Sequence, residues 1–345
     1  MTTRRDEGGD MAGLTRREGL LGLVAAGALA GAGPARAQAK KTVSIAIQFG
    51  TSHLATTVAD KLGLFAKHAK ANGIADTTFD VRRVSGSPAI NDGIFSGTFD
   101  VGAYGPTALL AAWLKTRGSY DLRGIAACNE GVLTLYTNDP AIRSIADIKP
   151  TDRIAVTATT SPQAILLRMA AEKLYGPGQS GRFDKQMVAL PHPDATTALI
   201  SKSSISLYFA APPFISTLEA SGKCTKVVNG REIIGGPYSG ALLATTGKFA
   251  AANPAAVATI VAALKEAMDV IRDDPNRVAQ IYREVEKTAL SADEVAAAVR
   301  AQTFTVEPRG IMAFAGFMKR SGELKEAPAR WQDVFVGPIT QGAGA

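Results

Sequence analysis

The chain has 345 residues, of which 46% are apolar, 20% charged and 6% aromatic, with 34 glycines and 17 prolines. That length holds about two ordinary domains, and the composition excludes collagen-like, coiled-coil and low-complexity chains. Lys plus Arg number 38 against 31 Asp plus Glu, a net charge of +7. No basic run exceeds two residues, as at Lys40-Lys41 and Arg82-Arg83, and no aromatics interleave with them, which excludes a nucleic-acid groove.

Residues 1–39 read as an export signal. The apolar run 20–33 is dominated by Gly and Ala, too short and too weakly apolar to cross a bilayer core of roughly 30 Å. Ahead of it, Thr15-Arg16-Arg17-Glu18-Gly19-Leu20 resembles the twin-arginine signature; a Sec signal with an arginine-rich start is the alternative. Ala35-Arg36-Ala37 and Ala37-Gln38-Ala39 offer two cleavage sites. Both routes end outside the cytoplasm, and with no cysteine after the apolar run a soluble periplasmic protein is expected. Removing this segment takes away five arginines and four acids, leaving +6 on 306 residues, too little to name a partner. Cys128 and Cys224 remain, either paired in an oxidising compartment or standing as buried apolar thiols.

The rest alternates strands and helices. Residues 42–47 alternate as a strand, and Leu54, Val58, Leu62 and Phe65 then fall at helical spacing before a second strand around 79–84. Ser87-Pro88 is expected to cap and start a short helix, followed by a strand over 99–103; Gly105-Pro106 ends it and opens an apolar helix. Strands are predicted at 125–128, 132–136, 154–156 and 188–190, with Ser161-Pro162 starting the helix of Ile165, Leu166 and Met169. An offset of 106 residues overlays Pro88 through Pro106 on Asp194 through Pro212 without a gap, which predicts two similar α/β lobes. After a strand at 241–245, Asn253-Pro254 starts a long helix. The remaining segment reads as helical, with Ser291-Ala292-Asp293-Glu294 as a capping box and helices near 310–318 and 329–335.

Ala59-Asp60-Lys61-Leu62-Gly63-Leu64-Phe65, Gly97-Thr98-Phe99-Asp100-Val101-Gly102 and Ile145-Ala146-Asp147-Ile148-Lys149, in that order and spacing, resemble the periplasmic solute-binding proteins of ABC transporters, within them the nitrate/sulfonate/taurine (NitT/TauT) class. Ala210-Ala211-Pro212-Pro213-Phe214 and Gly235-Gly236-Pro237 resemble one subgroup. The second lobe departs from the pattern, with Ser203 and Ser206 in place of a Gly-x-x-Asp turn. The resemblance implies a type II periplasmic-binding-protein fold: two doubly wound lobes joined by two crossing strands, lobe one from 40–128 and 239–345 and lobe two from 129–238. The helical C-terminal segment would pack on lobe one. It further implies a monomer that holds a small ligand between its lobes, delivers it to an inner-membrane ABC permease and needs no cofactor.

Open α/β sheets place ligands beyond the carboxyl ends of their strands. There, Thr51, Ser52 and His53 after the first strand would face Thr159, Thr160 and Ser161 of lobe two. Both segments open helices, whose free N–H groups and positive dipole ends suit a sulfonate or carboxylate; plain N-capping is the competing reading, for Ser161 above all. Ser85, Gly86 and Ser87 form a third hydroxyl-bearing turn, or a simple loop. Tyr104 either faces the ligand or packs. Phe214 and Tyr238 either sandwich an apolar ligand body or pack. Asn129 and Glu130 at the first crossing either meet a polar ligand group or leave Glu130 a solvated hinge carboxylate. His192 is a cleft donor or a loop residue, with Asp194 the expected cap of the helix after it.

Three histidines with no carboxylate or cysteine at ligand spacing do not make a metal site. A neutral heterocycle such as a thiamine pyrimidine precursor is the alternative ligand. A desulfinase-like enzyme using Cys128 is the alternative class, although an apolar setting opposes the low thiol pKa it would need.

Overall fold

The computed structural model describes residues 40–84 and 86–342. The expected export segment and Ser85 lie outside the described residues.

Two five-stranded sheets form two α/β lobes. The first opens with β1 (Thr42–Ile47), whose Val43, Ile45, Ala46 and Ile47 are fully buried. A 3-10 turn over Thr51–His53 runs into α1 (Leu54–Lys61), and α2 spans Leu64–Ala71. The single helix expected from the spacing is thus broken at Gly63, whose φ of 67° only glycine adopts without strain. Then come β2 (Thr78–Arg83), α3 (Ser87–Phe95), β3 (Val101–Tyr104), α4 (Pro106–Thr116) and β4 (Leu122–Glu130). Ser87 is the first helical residue of α3 and Gly86 its cap, so the expected serine cap is one position out.

The chain then crosses into the second lobe: β5 (Thr134–Thr137), β6 (Ile154–Val156), α5 (Pro162–Tyr175), β7 (Met187–Ala189), α6 (His192–Ile200), β8 (Leu207–Ala210), α7 (Phe214–Ser221), β9 (Thr225–Asn229) and α8 (Gly230–Ile234). It returns through β10 (Ser239–Thr246) and closes with α9 (Gly247–Ala252), α10 (Pro254–Asp273), α11 (Pro275–Glu286), α12 (Ala292–Arg300) and α13 (Ile311–Arg320). The expected cap of α12 is present, Ser291 and Glu294 bonding reciprocally. The stretch expected as a helix over 329–335 is a short 3-10 turn, Trp331–Val334.

Strand order is β2-β1-β3-β10-β4 in the first sheet and β7-β6-β8-β5-β9 in the second. The plan is the same: three parallel strands, then an antiparallel strand that enters from the other lobe, β10 beside β3 and β5 beside β8. The offset of 106 carries Val101–Tyr104 onto Leu207–Ala210. Each of these strands pairs parallel with its sheet's first parallel strand, Ile45 opposite Val101 and Ile154 opposite Leu207. The C-terminal helices cover the first lobe, α10 lying against α1 and α2, and α11 against α1.

Candidate ligand-binding cleft

A cleft of about 1030 Å³ is walled by the carboxyl-end turns of both sheets and by the two crossings. Its volume is that of a small-molecule site. Six helix amino-termini reach its walls: the Thr51–His53 turn, α3 and α4 from the first lobe, α5, α6 and α7 from the second. Among the described residues only one of the six, α5, has a side-chain cap; Ser161 Oγ accepts from the Ala164 amide at 3.4 Å. The other five find no side-chain acceptor for their first-turn amides among the described residues, so donors and positive dipole ends converge on the cleft. The lobes meet at Gly105 and Pro162, the starts of α4 and α5, where a Cβ on Gly105 would lie 3.1 Å from Pro162 Cγ.

Ser52, His53, Gly86, Ser87, Tyr104, Asn129, Thr159, Thr160, Ser161, His192, Phe214 and Tyr238 all lie in the wall. Thr51 does not: it is fully buried and exchanges hydrogen bonds with Gln302, 251 residues away. Asn129, on the wall, joins this network by donating to Gln302 Oε1 at 3.4 Å and accepting from the Ala241 amide at 3.0 Å. Glu130 is neither solvated nor in the wall. It is 8% exposed and ion-paired to Arg231 and to Arg309 at 3.3 Å.

Tyr104 is buried with its hydroxyl donating to Asn91 Oδ1 at 2.8 Å. Tyr238 packs edge-on against Phe314, and its hydroxyl accepts from the Leu133 amide at 3.1 Å. At 1% exposure it is a structural part of the wall rather than one half of an open sandwich. Phe214 stacks on His192, ring centroids 5.3 Å apart and 12° from parallel.

Asp194 does not cap α6. The helix starts at His192, one turn earlier than expected, with Pro191 at the cap position. His192 Nδ1 is bonded to the Tyr208 hydroxyl. Burial lowers the imidazole to about 4 and raises the phenol, so both groups of this pair are neutral at pH 7.

His53 is 6% exposed and its Nδ1 has no partner among the described residues; burial, and then the Arg83 guanidinium, lower its pKa to about 4. Thr107 Oγ1, also in the wall, is likewise buried with no partner among the described residues. Both cleft histidines are therefore neutral at pH 7.

The unfolded chain protonates these rings near 6.5 while the folded chain resists to about 4, so stability is complete above 6.5 and falls as pH drops through this window. At about 1.4 kcal/mol per pKa unit, the loss is a few kcal/mol. The urea midpoint is expected to drop between pH 7 and 4.5, and His53→Gln to remove about half of that slope.

Lys115, Arg168 and Glu323 are the charged residues of the wall among those described. Glu323 is bound to Arg168, so the wall presents no free carboxylate to a cationic ligand. Phe49, 61% exposed just after β1, adds an apolar surface. Phe49, Asn91, Thr107 and Arg168 were not singled out in the sequence; an exposed aromatic directly beyond the first strand was the one local signal.

Two doubly wound lobes with a cleft fed by both sheets' carboxyl ends define the periplasmic-binding-protein fold. The chain belongs to the NMT1-like family, whose model matches residues 36–283. Solved structures of this fold include the periplasmic aliphatic sulphonate binding protein SsuA from Escherichia coli, 16% identical with a TM-score of 0.69 over 87% of this chain and 93% of that one. SsuA from Xanthomonas axonopodis pv. citri, an alkanesulfonate-binding protein bound to MOPS, is 19% identical with a TM-score of 0.63 over 87% and 98%. The periplasmic nitrate-binding protein NrtA from Synechocystis PCC 6803 is 14% identical with a TM-score of 0.63 over 85% and 84%. No curated protein matches in sequence. The resemblance read from the motifs therefore holds at the level of class and fold.

Proposed function

We propose that this chain is the periplasmic substrate-binding component of an ABC importer, exported by residues 1–39, which captures a small organic anion between its lobes and hands it to a membrane permease. The observation that carries this reading is the convergence of six helix amino-termini, five without side-chain caps among the described residues, on a cleft whose described wall has no free carboxylate. Such a site stabilises negative charge through fixed dipoles and N–H donors, and neutral histidines add hydrogen bonds without a counter-charge. A sulfonate or carboxylate would place its oxygens at the starts of α4 and α5 and its apolar body against Phe49 and the Phe214–His192 stack.

Reversible binding rather than chemistry is favoured by the state of the thiols. Cys128 is fully buried, and burial pushes its thiol up to about 12, the reverse of an activated nucleophile. Cys128 and Cys224 are both free, so neither forms the disulfide that an oxidising compartment permits. The aromatic stack and exposed Phe49 favour a second reading, a flat neutral heterocycle.

A thermal-shift panel of alkanesulfonates, carboxylates, nitrate and neutral pyrimidines separates the two. A ligand at 100 times its Kd adds about 2.7 kcal/mol of stability, so the right class raises Tm clearly. A response to organic anions alone supports the proposal; a response to a pyrimidine alone replaces it with the heterocycle.

A further inference from the structure

Two ion pairs bridge the lobes along one face of α5. Arg168 of the second lobe donates from Nη1 to Glu323 Oε1 of the first lobe at 3.1 Å. One turn on, Glu172 Oε1 accepts from Arg320 at the end of α13, Nη2 at 2.9 Å and Nε at 3.2 Å. Residues four apart share a helix face, so α5 presents a cation and an anion to complementary groups across the cleft. Arg168 does more than bridge. Its Nη1 also donates to the Thr159 carbonyl at 3.0 Å, and its Nε to Asp184 Oδ1 at 2.9 Å. Thr159 begins the turn that leads through Thr160 to the α5 cap Ser161, all three in the cleft wall.

We propose that Arg168 is a positioning residue that ties the Thr159–Thr160–Ser161 turn to closure of the lobes, with Glu172–Arg320 as the second point of the same latch. The role of the turn rests on the reading of the cleft as the ligand site; the latch does not. With the lobes together, Glu323 fixes the guanidinium that orders the turn. With the lobes apart, Arg168 keeps only its partners within the second lobe, and the turn loses the connection to the first. The guanidinium is 16% exposed and the Glu323 carboxylate 25%, so the first pair is partly shielded from salt, whereas Arg320 is 63% exposed and its pair is screened more.

The test needs no ligand. Dyes on Ala75→Cys in the first lobe and Ser203→Cys in the second, both exposed positions, in a Cys224→Ser background, report lobe separation by single-molecule FRET. Surface-type pairs of this kind shift an equilibrium about two- to fivefold each. Glu323→Gln and Glu172→Gln are each expected to move the ligand-free distribution toward wider separation by that factor. Molar salt should reproduce most of the Glu172→Gln shift in the wild type, less of the Glu323→Gln shift, and add little to the double variant. Exchanging the second pair, Glu172→Arg with Arg320→Glu, should restore what either single change loses.

Hydrogen exchange at the Ser161 amide, bonded to the Ala158 carbonyl at 3.0 Å, should quicken severalfold in Arg168→Ala and less in Glu323→Gln. A FRET distribution indifferent to both substitutions and to salt would overturn the latch. An unchanged Ser161 exchange rate in Arg168→Ala would overturn the positioning role. The anion panel decides the ligand reading separately.

Discussion

Ala108→Asp is expected to weaken binding of an organic anion at least a hundredfold while leaving the fold intact. Ala108 lies in the first turn of α4, three residues past its Gly105 cap, and forms part of the cleft wall. A carboxylate in a helix's first turn is favourable to the helix, so thermal stability should hold or rise slightly. The same charge faces the oxygens of any anion held at the amino-termini of α4 and α5. Two like charges about 5 Å apart at an effective dielectric near 20 repel by about 3 kcal/mol, which is the hundredfold. Ala108→Asn has nearly the same shape without the charge and should keep most of the affinity. Titration calorimetry on the two variants distinguishes charge from bulk; equal losses would mean that sterics, not sign, govern the site.

Gly131→Ala is expected to cost about 2–3 kcal/mol of stability, an overpacking penalty at the upper end of the usual range. A Cβ at 131 would fall 2.0 Å from Tyr238 Cε2 and 2.4 Å from Cζ. The ring cannot retreat, because a Cβ on Gly230 would stand 2.3 Å from its hydroxyl and one on Gly310 2.6 Å from its Cβ, with Phe314 against its edge. Three glycines thus make room for one tyrosine where the chain passes between the lobes, and the Gly131 amide donates to the Tyr238 carbonyl at 2.6 Å. Urea denaturation should show the loss. Tyr238→Leu removes the obstructing ring, so adding Gly131→Ala to it should cost much less than in the wild type; full additivity would contradict this packing account.

Local patterns carried the fold a long way. The alternation in residues 42–47, the Ser161-Pro162 helix start and the capping box at Ser291 depend on neighbours in the chain, and each forms close to where it was read. The 106-residue offset was legible because both lobes solve the same packing problem with the same order of helix, strand and proline. What was not legible depends on partners distant in sequence. Thr51 resembles a ligand-facing hydroxyl until Gln302 satisfies it, and Glu130 resembles a solvated carboxylate until Arg231 and Arg309 close on it. Arg168 is an ordinary helix-surface arginine in sequence; its meaning comes from Glu323, 155 residues away. For Tyr238 a ligand clamp and a packed ring stay equally open in sequence, because nothing nearby announces that glycines at 131 and 310 surround it.

Capture without chemistry of an organic anion in the cleft between the lobes is most directly tested by equilibrium dialysis against the anion giving the largest thermal shift, followed by mass spectrometry of the recovered small molecule. The expected result is one anion bound per chain, recovered unchanged, and lost in Ala108→Asp but not in Ala108→Asn. An anion bound equally well by Ala108→Asp, or recovered as a different compound, would contradict it.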